Sequence, residues 1–245
     1  MITRQRNISN LIDLWKNATQ PFNTYNEDEF IGYCFISNSQ WPNKIWLKET
    51  HNISILNDIS LLLKSGLDNL TFSYFDKDSD KVNLIFDYYG FDQVSSQHGM
   101  SLALKELNSF KTKTSLKFEL VIDSNKAKIW SKTFEMSFGY KISEETINKT
   151  FQKINYYNIY FNNEIAGTVI CHKTLTTLGI HSLGIIPTMR GKGLATQIMY
   201  NILNEAKANG LELATLQASQ MAKYMYEKMG FTTDFLMRNY KLKTI

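Results

Sequence analysis

Proline and cysteine are scarce in this chain, and long apolar runs are missing. Three prolines and two cysteines occur in 245 residues, within a composition of 43% hydrophobic and 20% charged residues. That is the make-up of an ordinary folded globule. Cys34 and Cys171 both sit in apolar, strand-like runs. They read as small core residues, which argues against a disulfide framework. No stretch approaches the ~18 consecutive apolar residues of a membrane span. The first twenty residues carry Arg4 and Arg6 but no continuous apolar segment of the kind a secretory leader needs. The expectation is a soluble, cytoplasmic protein with no membrane partner, in which the glycosylation-like triplets at 7–9 and 148–150 carry no meaning. Dense blocks of lysine are also missing, so nothing points to nucleic acid. Oligomeric state is not legible.

Aromatic residues, by contrast, are plentiful at 13%, enough for a substantial core. Charge is uneven. Residues 1–110 hold 9 Lys/Arg against 13 Asp/Glu, a net of −4, whereas residues 111–245 hold 18 against 10, a net of +8. The second half therefore suits an anionic ligand, although scattered, solvated lysines are the simplest source of the excess.

Punctuation is clearest in that half. Ile154 to Phe161 and Ile165 to His172 read as strands joined by a turn at Asn162-Asn163-Glu164. A third strand covers Gly179 to Ile186 and stops at Pro187. Leu194, Ile198, Ile202, Leu203 and Ala206 recur at helical spacing until Asn209-Gly210 closes the helix. Leu211 to Leu216 reads as a strand, Ser219 to about Met229 as a short helix ended by Gly230, and Phe231 to about Leu242 as a last strand. Upstream, Leu116 to Val121 reads as a strand, and Asp123 to Phe138 and Ser143 to Gln152 as helices. In the first half, Ile8 to Ala18 and Ile53 to Lys64 read as helices. Phe30 to Ile36, Leu70 to Phe75 and Gln97 to Leu104 read as strands. The order implies an α+β fold with one crossover helix between neighbouring strands.

An internal repeat accompanies this order. Ile55-Leu56-Asn57-Asp58 followed by Lys64-Ser65-Gly66-Leu67 resembles Ile202-Leu203-Asn204-Glu205 followed by Ala208-Asn209-Gly210-Leu211. Phe86-Asp87-Tyr88-Tyr89-Gly90-Phe91 resembles Tyr226-Glu227-Lys228-Met229-Gly230-Phe231, and Met100 and Tyr240 follow in closing strands. A turn over Asp76–Lys81 would hold the longer spacing of the first copy. The expected division is 1–110 and 111–245, with the boundary near Phe110 to Thr114.

Arg190-Gly191-Lys192-Gly193-Leu194-Ala195 lies between the third strand and the long helix. Free N–H groups at a helix start, together with the helix dipole, form an anion site, and the small residues let a phosphate approach the backbone. The first half has nothing like it. A dinucleotide fingerprint would need a third glycine after a first strand, and Gly191-x-Gly193 has neither. A Walker A loop is also absent.

The segment fits the Q/R-x-x-G-x-G/A pattern of the GNAT N-acetyltransferases, with Arg190, Gly193 and Ala195 in the named positions. Ile186-Pro187-Thr188-Met189 before it resembles the family, as do Ala206-Lys207-Ala208-Asn209-Gly210, Leu216-Gln217-Ala218-Ser219 and Tyr226-Glu227-Lys228-Met229-Gly230-Phe231 after it. The resemblance covers about 151–243. Residues 1–110 resemble, more weakly, the degenerate N-terminal lobe of tandem members. The resemblance implies the GNAT acyl-CoA N-acyltransferase fold, a mixed and mostly antiparallel sheet flanked by helices, beside a smaller degenerate lobe. It implies acetyl-CoA as cofactor, held at the pyrophosphate by the N–H groups of roughly Lys192, Gly193, Leu194 and Ala195, with Gly191 in the same binding segment. Arg190 would add charge or brace the loop, and Thr196 and Gln197 would donate further bonds. Leu183, Gly184 and Ile185 would pair with pantetheine like an added strand, and Gly184 fits a bulge there. Ser219 would contact the cofactor or simply cap its helix. Tyr226 would be the general acid that protonates the departing thiolate. Phe86 stands at the matching place in the first half, without a hydroxyl.

The activity implied is direct acetyl transfer from acetyl-CoA to a primary amine through a tetrahedral intermediate. A non-catalytic acyl-CoA-binding protein, or a transferase of longer acyl chains, would carry the same cradle. The acceptor and the general base are not legible. His181, His172 and Glu135 are candidates for the base, and no third ligand at telling spacing suggests a metal. Trp41, Trp46 and Tyr89 are candidates for an acceptor cleft, with core packing the first expectation for each.

Overall fold

A computed structural model describes residues 2–48, 55–64, 70–76, 80–112 and 116–243. The first half forms α1 (Ile2–Thr19), β1 (Tyr25–Glu27), β2 (Ile31–Cys34), β3 (Lys44–Leu47), α2 (Leu56–Lys64), β4 (Thr71–Asp76), α3 (Asp80–Tyr88) and β5 (Phe91–Ala103). The second half forms β6 (Leu116–Leu120), α4 (Ser124–Phe138), α5 (Glu144–Thr150), β7 (Asn155–Phe161), β8 (Glu164–Thr174) and β9 (Thr177–Ile185). It continues with α6 (Leu194–Ala208), β10 (Leu213–Ala218), α7 (Gln220–Glu227) and β11 (Thr232–Leu242).

Local chemistry sets the ends of these elements. The side chains of Asp123, Ser143 and Ser219 accept backbone N–H groups three residues on and cap α4, α5 and α7. Asn162 and Asn163 take φ of 51° and 64° in the β7–β8 turn. Asparagine tolerates that region, and a turn of this hand matches the twist of the flanking strands.

Eleven strands form one sheet in the order β1-β2-β3-β4-β11-β5-β10-β9-β8-β7-β6. β3 with β4 and β9 with β10 are parallel, each pair joined through a helix, and the other pairs are antiparallel. The sheet is therefore mixed and mostly antiparallel, as expected. Strands of the two halves interleave at its centre. β5 pairs with β10, and the C-terminal β11 lies between β4 and β5. The succession β1-β2-β3-α2-β4-α3-β5 recurs as β7-β8-β9-α6-β10-α7-β11.

Helices cover both faces. α1, α4 and α5 share a core containing Leu14, Ala18, Trp130, Phe134 and Ile147. On the other face, α6 buries Leu194, Ile198, Met199, Ile202, Leu203 and Ala206. Each large member of that stripe contributes roughly 1.5–3 kcal/mol. α2 and α3 cover Phe72, Phe91 and Tyr240 through Leu56, Ile59 and Phe86.

Three elements escape the sequence reading: β1, β3 and α3. Residues 77–79 of the expected Asp76–Lys81 turn lie outside the described residues, and Asp80 and Lys81 already belong to α3. Ile53 of the expected helix, Ser65, Gly66 and Leu67 of the repeat, and Lys113 and Thr114 of the expected boundary also lie outside them.

Candidate active site

β9 and β10 are neighbours over three residue pairs only, Thr177–Leu213, Leu178–Ala214 and Gly179–Thr215. Both strands run on, to Ile185 and Ala218, without further pairing to each other. A bulge starts the divergence. Ser182 and Leu183 together oppose Val169 of β8, and Ser182 takes φ of 52°. One extra residue bends a strand and raises its twist. The expected bulge at Gly184 is thus displaced to Ser182–Leu183. Gly184 pairs regularly with Thr168 and has another reason to be glycine. A Cβ there would lie 2.4 Å from the Phe138 ring and 2.8 Å from Cβ of Ser137.

Between the parted strands opens a cleft of about 240 Å³, lined on this side by Ser182, Leu183, Gln217, Ser219 and Tyr226. Its opposite wall comes from α1, through Leu11, Leu14 and Trp15, and from Trp41 and Lys44.

The loop after β9 is built to leave donors free. Gly191 and Gly193 take φ of 77° and 70°, and a Cβ on either would point into open space. Backbone conformation, rather than crowding by the protein, demands glycine at both positions. The first bond of α6 runs from the Gln197 N–H to the Gly193 carbonyl. Gly193, the N-cap, has no side chain to offer. Among the described residues, the N–H groups of Gly191, Lys192, Gly193, Leu194, Ala195 and Thr196 therefore donate to nothing. With the helix dipole behind them they suit an anion, so the loop fits a phosphate-bearing ligand. Arg190 braces this loop. Its Nε donates to the Ile185 carbonyl at 3.0 Å and an Nη to the Ser137 carbonyl at 2.9 Å, tying β9 to the end of α4. Of its two expected roles, the brace is the one seen.

Tyr226 is 7% exposed and packs edge-on against Phe231. Its hydroxyl has no hydrogen-bond partner among the described residues, and burial pushes its pKa up to about 12. A neutral phenol facing a cleft can give a proton. Ser219 caps α7, its Oγ accepting the Ala222 N–H at 3.3 Å, and still borders the cleft. Thr196, whose N–H belongs to the donor set above, borders a surface groove with Tyr200 and Tyr224 rather than the cleft.

The base candidates fare differently. Glu135 is exposed on α4 and does not reach the cleft. His172 is buried and bonded through Nε2 to Asp13 at 2.7 Å, away from the cleft. His181 does border it, but burial, reinforced by neighbouring His172, holds its pKa at about 3. Such a ring is too weak a base to deprotonate an ammonium. Its Nδ1 meets Gln217 at 3.2 Å and its Nε2 meets Asn10 at 3.1 Å. Gln217 in turn donates to Asn7 at 2.7 Å. His181 is thus a spacer across the fork of the strands, locked by amides from α1. The sequence reading missed Asn7, Asn10 and Lys44. Their signal, polar residues within apolar runs, is common on surfaces and could not single them out.

Of the three aromatic candidates, Trp41 lines the cleft. Trp46 is buried against Trp15 and Tyr25. Tyr89 packs on Tyr88 instead. Among the described residues no cluster of three or more His, Cys, Asp or Glu could hold a metal ion. No helix among them is long and apolar enough to cross a membrane.

Comparison with known proteins agrees with this geometry. Residues 127–231 match the model of the acetyltransferase (GNAT) family. A ribosomal-protein alanine N-acetyltransferase of Haemophilus influenzae is 30% identical over 81 residues, which is 32% of this chain and 56% of that enzyme. The match thus spans little more than half of that relative. In fold, the chain is similar to a GCN5-related N-acetyltransferase from Kribbella flavida, with a TM-score of 0.68 at 10% identity over 94% of this chain and 95% of the other. It is also similar to a tandem GNAT protein from the clavulanic acid biosynthesis pathway, with a TM-score of 0.57 at 9% identity over 86% and 77% of the two chains.

Proposed function

We propose, from the premise that this chain carries an acetyltransferase domain of the GNAT family, that it moves an acetyl group from acetyl-CoA to a primary amine. One observation carries the reading. N–H groups that are unbonded among the described residues lie at the start of α6, just after β9, and the cleft between β9 and β10 contains a phenol with no partner among those residues. A ligand with a pyrophosphate at one end and a thioester at the other suits both features.

Gly191 to Ala195 would take the pyrophosphate. The free edge of β9 around Leu183 would pair with the pantetheine amides as an added strand, with Gly184 and Ile185 continuing that edge. The amine nitrogen attacks the thioester carbonyl, a C–N bond forms, and the tetrahedral intermediate collapses with loss of the C–S bond. A backbone N–H of the β9 edge stabilises the oxyanion. Tyr226 gives its proton to the departing thiolate. Among the described residues no carboxylate borders the cleft, and the proton of the amine leaves to water. Residues 1–110 would be a degenerate lobe of the same ancestry, lacking the cradle and carrying Phe86 where the second half has Tyr226. That division is supported by the repeated order of elements.

The test is thiol release from acetyl-CoA across a panel of amines, with longer acyl-CoAs in competition. Turnover of an amine with acetyl preferred supports the reading. Tight coenzyme A binding with no turnover of any amine would leave a binding protein instead.

A further inference from the structure

The wall of the cleft opposite Tyr226 contains a charge that the chemistry above does not use. Lys44 opens β3, on the face of the sheet that α1 covers, and is half-buried where it borders the cleft. Its ammonium donates to the Thr71 hydroxyl at 2.8 Å and to Oδ1 of Asn239 at 2.9 Å. Both partners are neutral. An ammonium has three donors, and these partners use two. No carboxylate lies within ion-pairing distance among the described residues. A poorly solvated charge with no counter-ion among the described residues is costly to keep, and desolvation holds the pKa of Lys44 at about 8, still protonated at neutral pH.

The surroundings fix this ammonium in place. Asn239 also accepts the Ser73 hydroxyl at 2.6 Å and donates to Ser95 at 3.1 Å, so its oxygen is oriented toward Lys44. Leu14, Trp15, Trp41 and Tyr140 border the same cleft and offer apolar surface beside the charge.

We infer that Lys44 is the anion-recognising residue of the acceptor subsite, and that the acceptor is a small primary amine carrying a carboxylate and an apolar body. This rests on the reading that the cleft takes an amine acceptor. The carboxylate occupies the third donor of Lys44, the apolar body lies against Trp41 and its neighbours, and the amine is left toward Tyr226. An anion neutralises the charge as it binds, so recognition comes from Coulomb attraction in a poorly solvated site.

The experiment uses phenylalanine and leucine against their amides, matched in shape but without the carboxylate. Acetyl transfer and binding, the latter by tryptophan fluorescence, are measured near pH 7 on the full chain and on Lys44→Met and Lys44→Arg. The expected result is tighter binding of the carboxylates by the unaltered protein. Lys44→Met should lower kcat/KM for carboxylates by about tenfold or more through KM, lower it much less for the amides, and be partly rescued by Lys44→Arg. Equal binding of acids and amides by the unaltered protein would overturn the inference, as would an equal loss for both in Lys44→Met. Carboxylate-selective binding without turnover would uphold the subsite while sinking the transferase reading. Turnover confined to neutral amines would do the reverse.

Discussion

Acidification is the sharpest perturbation of the forked strands, because His181 is buried where they part. Its pKa is moved from 6.5 to about 3, first by burial and then by neighbouring His172. The folded chain therefore takes up this proton less readily than the unfolded chain. The sign follows directly. Stability from the neutral ring is complete above the unfolded value and is lost as pH falls from about 6.5 toward 3. Between about pH 7.5 and about pH 5, a group with these two values removes about 2 kcal/mol from the unfolding free energy. That is a sizeable part of the ~5–15 kcal/mol available to a typical protein. The opposing effect is hydrogen bonding. A neutral ring donates through one nitrogen only, so protonation would gain a second bond to an amide oxygen. Urea unfolding at both pH values, in the unaltered protein and in His181→Gln, separates the two effects. Other groups titrate alike in both chains, so the difference isolates His181. The unaltered protein should lose about 2 kcal/mol more than the variant. If the variant does not fold, the ring resonances of His181 in the unaltered protein serve instead, and they should stay at the neutral position down to about pH 4. An equal loss in the two chains, or a ring that titrates near 6.5, would refute the burial argument.

Tyr226→Phe should cut turnover by about 100-fold or more while coenzyme A affinity, read by calorimetry, stays nearly unchanged. An unaltered rate would remove Tyr226 as the acid. Because its phenol is held near 12, the unaltered enzyme should show no loss of kcat from Tyr226 ionisation between neutral pH and about pH 10. Gly193→Glu should abolish coenzyme A binding, since it adds a negative charge at a pyrophosphate site and a side chain at φ of 70°. The conformational cost alone is about 1–2 kcal/mol. Arg190→Ala removes the brace from Ile185 and Ser137 and should weaken coenzyme A by roughly fivefold, about 1 kcal/mol, with little change in thermal midpoint. Unchanged affinity would mean that the loop holds its shape unaided.

Much of this molecule is legible along the chain. The Asn162-Asn163 turn, the caps Asp123, Ser143 and Ser219, and the apolar stripe from Leu194 to Ala206 are short-range signals with short-range causes. The strands of the second half are found within a few residues for the same reason. β1 and β3 are missed because three or four residues give no usable period. Gly184 reads as a bulge residue, yet the bulge falls just before it, at Ser182–Leu183, and Gly184 serves close approach. A strand glycine signals either a bulge or a close approach, and only the position of Phe138 separates the two.

The sequence by itself determined where a phosphate can sit. Glycines at 191 and 193 followed by an apolar helix produce free N–H groups whatever surrounds them, because helix starts leave donors unpaired. Tertiary structure decided everything about the other end of the cleft. Lys44, Trp41 and the amides Asn7 and Asn10 come from a half of the chain more than a hundred residues away from Tyr226. They meet the site only because β5 and β11 cross between the halves and α1 packs over the resulting sheet. Local backbone chemistry is read from neighbours in sequence. A poorly solvated ammonium with neutral partners acquires meaning only from what is folded around it.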